Sequence, residues 1–160
     1  MADRSFVAPK GKPEIVSTRV FDAAPEMVFS AFTDPRLIPH WWGPARLTTT
    51  VDRLDASKGG IWRFVQRDAE SNVYSFNGVF HEVLPPRRLV YTFEYEGTPG
   101  RVVLETVTFT EQNGKTLLAE KAVFQSVEDR DAMLAEGMEE GSTEGMDRLA
   151  DLLSRRPDPS

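Results

Sequence analysis

Over residues 14–21 and again between 46 and 125 apolar and polar positions alternate in short runs, and between and after these stretches the period of two gives way to a helical one. The alternation predicts strands at Glu14–Phe21, 47–54, 61–66, Val73–Leu84, 89–95, 102–111 and 117–124. β-Branched and aromatic residues fill these runs. Turn residues separate them at Ser57-Lys58-Gly59-Gly60, Pro85-Pro86-Arg87-Arg88, Gly97-Thr98-Pro99-Gly100 and Gln112-Asn113-Gly114-Lys115. Asn-Gly between two apolar runs is a strong hairpin signal. After the first strand, Asp22-Ala23-Ala24-Pro25 offers a helix start, and Met27, Val28, Ala31 and Phe32 form the apolar stripe of a short helix. A second short helical turn leads into His40-Trp41-Trp42-Gly43-Pro44.

Residues 128–153 carry the long helical period. At about 100° per residue, Leu134, Met138, Leu149 and Leu152 share one arc, and Glu136, Glu139, Glu140, Asp147 and Asp151 take the other. Gly137, Gly141 and Gly145 recur every four residues and form a row climbing into the apolar arc. Each costs roughly 1 kcal/mol against alanine inside a helix, so the row costs about 3. Two readings answer that cost: another backbone packs very close, or space is left beneath the helix for a molecule that is not protein. One strand, two short helices, six strands and a long helix imply an α+β fold with a curved, seven-stranded antiparallel sheet and the helix across its concave face. Such a helix, showing glycine to a curved sheet, favours a cavity.

The chain has 160 residues, enough for one domain, taken as 14–154 between a loosely held arm at 1–13 and a frayed tail at 155–160. Nineteen Lys and Arg against 25 Asp and Glu leave a net charge of −6, which argues against a nucleic-acid partner or an anionic membrane surface. Cysteine is absent and only two histidines occur, excluding disulfides and thiolate chemistry and arguing against a metal or other cofactor. No apolar run reaches the roughly 18 residues needed for a membrane-spanning helix, and the first residues lack the apolar core of a signal peptide, so the expected location is the cytoplasm.

Several short motifs occur together and in order: Thr18-Arg19-Val20-Phe21, Phe32-Thr33-Asp34-Pro35, Trp41-Trp42-Gly43-Pro44, Gly59-Gly60-Ile61-Trp62-Arg63-Phe64, Pro86-Arg87-Arg88-Leu89 and Asp147-Arg148-Leu149. Over residues 14–153 the chain resembles the SRPBCC superfamily, within it the branch similar to the C-terminal domain of the heat-shock protein 90 ATPase activator. That resemblance implies the helix-grip fold, a curved sheet gripping a long C-terminal helix around an apolar cavity. Members of the branch often carry Trp after the helix glycine that matches Gly141; here Ser142 stands there, leaving that edge of the cavity less filled.

The residues expected to line a ligand site are Trp41, Trp42, Trp62, Phe64, Tyr74, Phe76, Tyr91, Phe93, Met138, Gly141, Ser142 and Gly145, with the Trp pair at the mouth. Core packing is the competing reading for the aromatics. His40 and His81 have no carboxylate partner or ligand spacing in sequence, Arg63 and Arg67 read as a solvated strand face, and the helical glutamates as a solvated acidic face. The expected function is therefore binding of a small apolar or aromatic molecule, with no assigned catalytic residue. Two alternatives stay open. One is a polyketide cyclase or aromatase in which Tyr74, Tyr91 or Arg63 orients the substrate. The other is a co-chaperone docking on a larger ATPase, ranked last because no additional N-terminal activator domain is found in the sequence. Pairing with a second copy of the chain is also left open.

Overall fold

The computed structural model describes residues 4–155. Eight strands form one antiparallel sheet in the order β1-β2-β8-β7-β6-β5-β4-β3. They are β1 (Arg4–Val7), β2 (Glu14–Phe21), β3 (Thr48–Leu54), β4 (Ile61–Arg67), β5 (Val73–Leu84), β6 (Arg88–Tyr95), β7 (Val103–Gln112) and β8 (Lys115–Val123). α1 (Pro25–Thr33) and a 3-10 turn (Ile38–His40) link β2 to β3, and α2 (Val127–Ala135) and α3 (Met138–Arg155) close the chain. The architecture is α+β, as the pattern predicts, with register shifts in β3 at Val51/Arg53 and in β5 at Phe80/Glu82 adding to the bend.

Two expectations need correction. The sheet has eight strands, not seven, because Arg4–Val7, within the stretch read as a loose arm, pairs with β2 from Arg4↔Arg19 to Val7↔Val16. This edge strand half-buries only Phe6, so four residues carry no readable alternation; Ser5 and Thr18 hydroxyls meet across the pair at 2.6 Å. The tail at 155–160 lies outside the described residues except for Arg155, which ends α3.

The second correction concerns 128–153, which is two helices. α2 starts on the Ser126 cap, whose side chain accepts from the Asp129 N–H, and ends at Glu136. Gly137 then takes φ +92°, a conformation that side chains other than glycine rarely adopt, and α3 begins at Met138. The three glycines therefore do three different things. Gly137 breaks the helix. A Cβ on Gly141 would meet no atom within 4 Å, whereas one on Gly145 would sit 3.4 Å from the Trp41 carbonyl oxygen and 3.5 Å from the Gly43 nitrogen.

The break divides the core. Leu149, Leu152 and Leu153 of α3 join α1, Trp41, Phe109, Leu118 and Phe21 in the larger cluster. A smaller one gathers Ile15, Val103, Ala122 and Phe124 under Met133, Leu134 and Met138. Gly141→Ala should raise stability by up to about 1 kcal/mol, the helix-propensity gain with no clash to oppose it. Gly137→Ala should lower it by about 1 to 2 kcal/mol, the cost of a positive φ with a side chain. Denaturant midpoints of the two variants check this, and equal shifts of the same sign would contradict it.

Candidate functional site

Rows of side chains run across the concave face because directly paired residues of antiparallel strands point the same way. One row is Ile15, Ala122, Glu105 and Tyr91; the next is Ser17, Glu120, Val107 and Leu89. Beyond them on one side lie Val103 and Phe93, in the smaller core, and on the other Leu118 and Phe109, in the larger. Two carboxylates and a phenol thus sit on the boundary between the clusters, where every neighbouring position is apolar or small.

Glu105, Glu120 and Tyr91 are each half-buried, not fully buried, by exposed area. Yet burial is the leading influence on all three, and it pushes Glu105 up to about 8, Glu120 up to about 7 and Tyr91 well above its ordinary value. Glu120 raises Glu105 further by charge repulsion, and both glutamates raise Tyr91. Among the described residues neither carboxylate has a hydrogen bond or ion pair, and the Tyr91 hydroxyl has none.

Of the three, Glu120 lines a cleft of about 200 Å³ between the N-terminal half of α3 and the β1-β2-β8 edge. Ser17, Leu118 and Glu120 line it from the sheet, Phe6 from β1, and Ser142 and Met146 from the helix. Arg19 and Glu139 flank it, with Arg19 Nη1 donating to Asp147 Oδ1 at 2.7 Å. The helix cannot close down on the sheet there because its other half is fixed. Beside the Gly145 contact, Arg148 Nη1 donates to the Gly43 oxygen at 2.7 Å and the Ala45 N–H donates to Glu144 Oε2 at 2.7 Å.

The residues expected at the site divide. Trp41 is not at a mouth: it is 3% exposed, packs on Phe32 and donates through Nε1 to the Ala31 oxygen. Trp42 turns inward, with ring centroids 5.1 Å from Phe64, 5.2 Å from Phe76 and 6.3 Å from Trp62, and Phe93 adjoins the same group. The turn holding it is fixed by Thr49 and Gln66, both donating to the Trp42 oxygen. These aromatics fill one another's surroundings. Tyr91 stands at their edge, 6.1 Å from Trp62 and 5.8 Å from Phe80. Tyr74 is remote, bonded through its hydroxyl to Asp68 Oδ2 at the end of β5. Met138 packs on the smaller core, Gly141 faces open space, Ser142 lines the cleft and Gly145 meets the Trp41–Gly43 turn.

Glu105 and Glu120 were not among the expected site residues, although a signal was present. Glu105 has the same parity as Val103, Val107 and Phe109, and Glu120 the same as Leu118 and Ala122. A charged residue interrupting the apolar parity of a strand is the mark of a polar group turned inward. Arg63, by contrast, points to the other face, where Glu96 and Asp52 hold it; Arg63 and Asn77 in turn hold Glu96 down at about 2. His40 and His81 are exposed. No group of three His, Cys, Asp or Glu side chains converges to hold a metal among the described residues, and no described helix is long and apolar enough to cross a membrane.

The raised carboxyls set the pH dependence of stability. Between about pH 4.5 and 8 the unfolded chain has released these protons and the folded chain has not, so stability falls as pH rises through that window. Below it the contribution is fully present; above about 8 the penalty is constant. Glu96, being depressed, acts in the opposite sense and only at lower pH. Glu105→Gln and Glu120→Gln should therefore flatten the slope between pH 5 and 8 and stabilise at pH 8 by more than about 1 kcal/mol, a pKa unit being worth about 1.4. Denaturation midpoints across that range check it, and an unchanged slope in both variants would contradict it.

Solved structures with this arrangement are numerous. A protein of Rhodobacter sphaeroides matches 96% of this chain and 99% of its own with a TM-score of 0.88 and 27% identity. One from Chromobacterium violaceum matches 90% and 99% with a TM-score of 0.81 and 26% identity. The AHSA1 protein of Silicibacter pomeroyi matches 88% and 97% with a TM-score of 0.73 and 26% identity. No curated protein matches in sequence. The sequence profile of the activator of Hsp90 ATPase homolog 1-like proteins covers residues 22–154, from the end of β2 to the last turn of α3. With sequence and fold in agreement over nearly all of the described residues, the chain belongs to the family of activator of Hsp90 ATPase homolog 1-like proteins.

Proposed function

We propose that the protein binds a small apolar or aromatic molecule in the space beneath α3. The observation that carries this reading is the trio Tyr91, Glu105 and Glu120, half-buried on the inner face of the sheet and without a hydrogen-bond or ion-pair partner among the described residues, with Glu120 lining the cleft. A core that existed only to be stable would not keep three such groups, since an unsatisfied buried polar group costs about 1 to 3 kcal/mol. Apolar walls come from Phe6, Leu118 and Met146, and the aromatic cluster around Trp42 and Trp62 adjoins Tyr91. Of the residues expected to orient a substrate in a cyclase, Tyr74 and Arg63 are committed elsewhere, and Tyr91, on the inner face of the sheet opposite Glu105, does not line the cleft. Binding is therefore favoured over cyclisation. The family's description also names an activator of an ATPase, and the exposed Glu136, Glu139 and Glu140 offer an acidic surface for a basic partner, but the internal groups give that role nothing to do.

Native mass spectrometry of freshly purified protein should show a retained small molecule that leaves on denaturation. Ser142→Trp should weaken binding of a neutral apolar probe at least about tenfold while leaving the denaturant midpoint unchanged or higher, because a ring placed in open space gains about 25 cal/mol per Å² of buried apolar area. A stability loss of about 1 to 3 kcal/mol with unchanged probe binding is the response of a filled interface and would overturn the reading. So would the absence of any saturable probe binding in the parent protein.

A further inference from the structure

Charge is distributed unevenly along the cleft beneath α3. Arg4 and Arg19 stand directly opposite each other across the β1–β2 pair, and the next row on the same face holds Phe6, Ser17 and Glu120. Like charges directly opposite destabilise a strand pair. Asp147 answers one of the two, its Oδ1 accepting from Arg19 Nη1 at 2.7 Å. The Arg19 side chain is only 19% exposed, and its guanidinium lies over the Phe21 ring, 5.6 Å from the centroid, so the group is held in the wall of the cleft. Its Nε and Nη2 nevertheless have no acceptor among the described residues, and Arg4 has no ion pair among them.

We infer that Arg4 and Arg19 form the recognition end of this cleft and that its ligand is a small acid, one carboxylate on an apolar, ring-sized body. This rests on the binding reading above and assigns the ligand's chemistry. A guanidinium presents its donors in a planar fork that matches the two oxygens of a carboxylate. With Nη1 on Asp147, the edge of Arg19 left over is Nε with Nη2. Arg63 uses that same edge on the other face of the sheet, where Nε and Nη2 hold the two oxygens of Glu96 at 2.8 and 2.9 Å. Arg4 adds the second positive charge, and Phe6, Leu118 and Met146 cover the apolar part. A volume of about 200 Å³ suits a body of one or two rings, given that a cavity of about 150 Å³ accepts benzene. An ammonium in place of the carboxylate would meet two guanidiniums.

Two glutamates share the cleft and make this recognition depend on pH. Glu139 is exposed on the first turn of α3. Glu120 faces Ser17 and Val107 directly, with Arg19 and Glu105 diagonal to it and Tyr91 beyond Glu105. Glu139 and Arg4 complete the charged groups around it from α3 and β1. Burial pushes Glu120 up to about 7, so below neutrality it keeps its proton and adds no charge against an acid. Above neutrality it ionises and repels the ligand. Affinity for an acid therefore falls as pH rises through about 7, and binding near that pH takes up a proton.

The test uses three probes with one ring system, 1-naphthoate, 1-naphthylmethanol and 1-naphthylmethylamine, titrated calorimetrically at pH 6 and pH 8 in two buffers of different ionisation enthalpy. At pH 6 the naphthoate should bind at least about tenfold tighter than the alcohol, as charge-assisted bonds to arginine allow, and the amine should bind worst. The net charge of −6 works against an acid, so that order reports the local arginines. From pH 6 to pH 8 the naphthoate should lose at least about threefold in affinity while the alcohol stays within about twofold. Arg4→Gln with Arg19→Gln should bring the acid and the alcohol to within about threefold of each other while the alcohol still binds. Naphthoate binding no tighter than the alcohol in the parent protein overturns this inference and leaves the carrier reading standing. No saturable binding of any of the three overturns both. An acid preference that survives in the double variant, or that does not weaken with rising pH and shows no proton uptake, places the acid away from Arg19 and Glu120 and overturns the inference. Because the order of the probes, the pH dependence and the proton uptake are read on the parent protein, the outcome does not depend on how the variants fold.

Discussion

α3 is held at two places, at its start by the smaller core and from Glu144 onward by the Trp41–Ala45 turn and the larger core, and the arrangement of the site follows from that. Leu149, Leu152 and Leu153 sink into the larger core, and Gly145 lies against the Trp41–Gly43 turn, where an added Cβ would touch the Trp41 carbonyl oxygen at 3.4 Å. Arg148 and Glu144 add hydrogen bonds to the same turn. On the other side Gly137 redirects the chain into α2, which covers the smaller core. Held at both places, the first turns of α3 bridge the concave face and do not settle onto it. Glu120 lies where that bridge passes, with Glu105 diagonally across on the next strand.

The electrostatic cost of those two groups shows why the gap matters. A carboxylate removed from water without a partner is costly enough that it keeps its proton, which is the direction found for both. On the opposite face the sheet treats the same residue type in the reverse way: Glu96, wetted and paired with Arg63 and Asn77, ionises far more readily than usual. The fold can satisfy a glutamate when nothing else is asked of it. On the inner face, next to Tyr91, it leaves two without a partner among the described residues, at a cost in stability.

Much of this was legible in the sequence because strand and helix periods are robust local signals. The Asn113-Gly114 hairpin, the β2 alternation and the α1 stripe all appear at the expected positions. What was not legible depended on context. Arg4–Val7 becomes a strand only because β2 offers an unpaired edge, and four residues buried on one side carry no period. The helix break at Gly137 was hidden by the row it belongs to, since three glycines four apart look equivalent until a positive φ singles one out. Trp41 and Trp42 are adjacent in sequence but point into different parts of the core, a division set by the Gln66 and Thr49 bonds to the turn. Glu105 and Glu120 were readable from strand parity, yet charged residues are so often solvent-facing that the apolar neighbours drew the eye instead.

The most direct measurement is a carboxyl carbon-13 NMR titration of the ligand-free protein with the Glu105 and Glu120 resonances assigned by their glutamine variants. If α3 bridges the floor as described, these two resonances should titrate near 8 and near 7, with Glu96 near 2. Titration of Glu105 and Glu120 at the model-peptide value of about 4.3 would place both in open water and contradict the account of an enclosed polar floor beneath the helix.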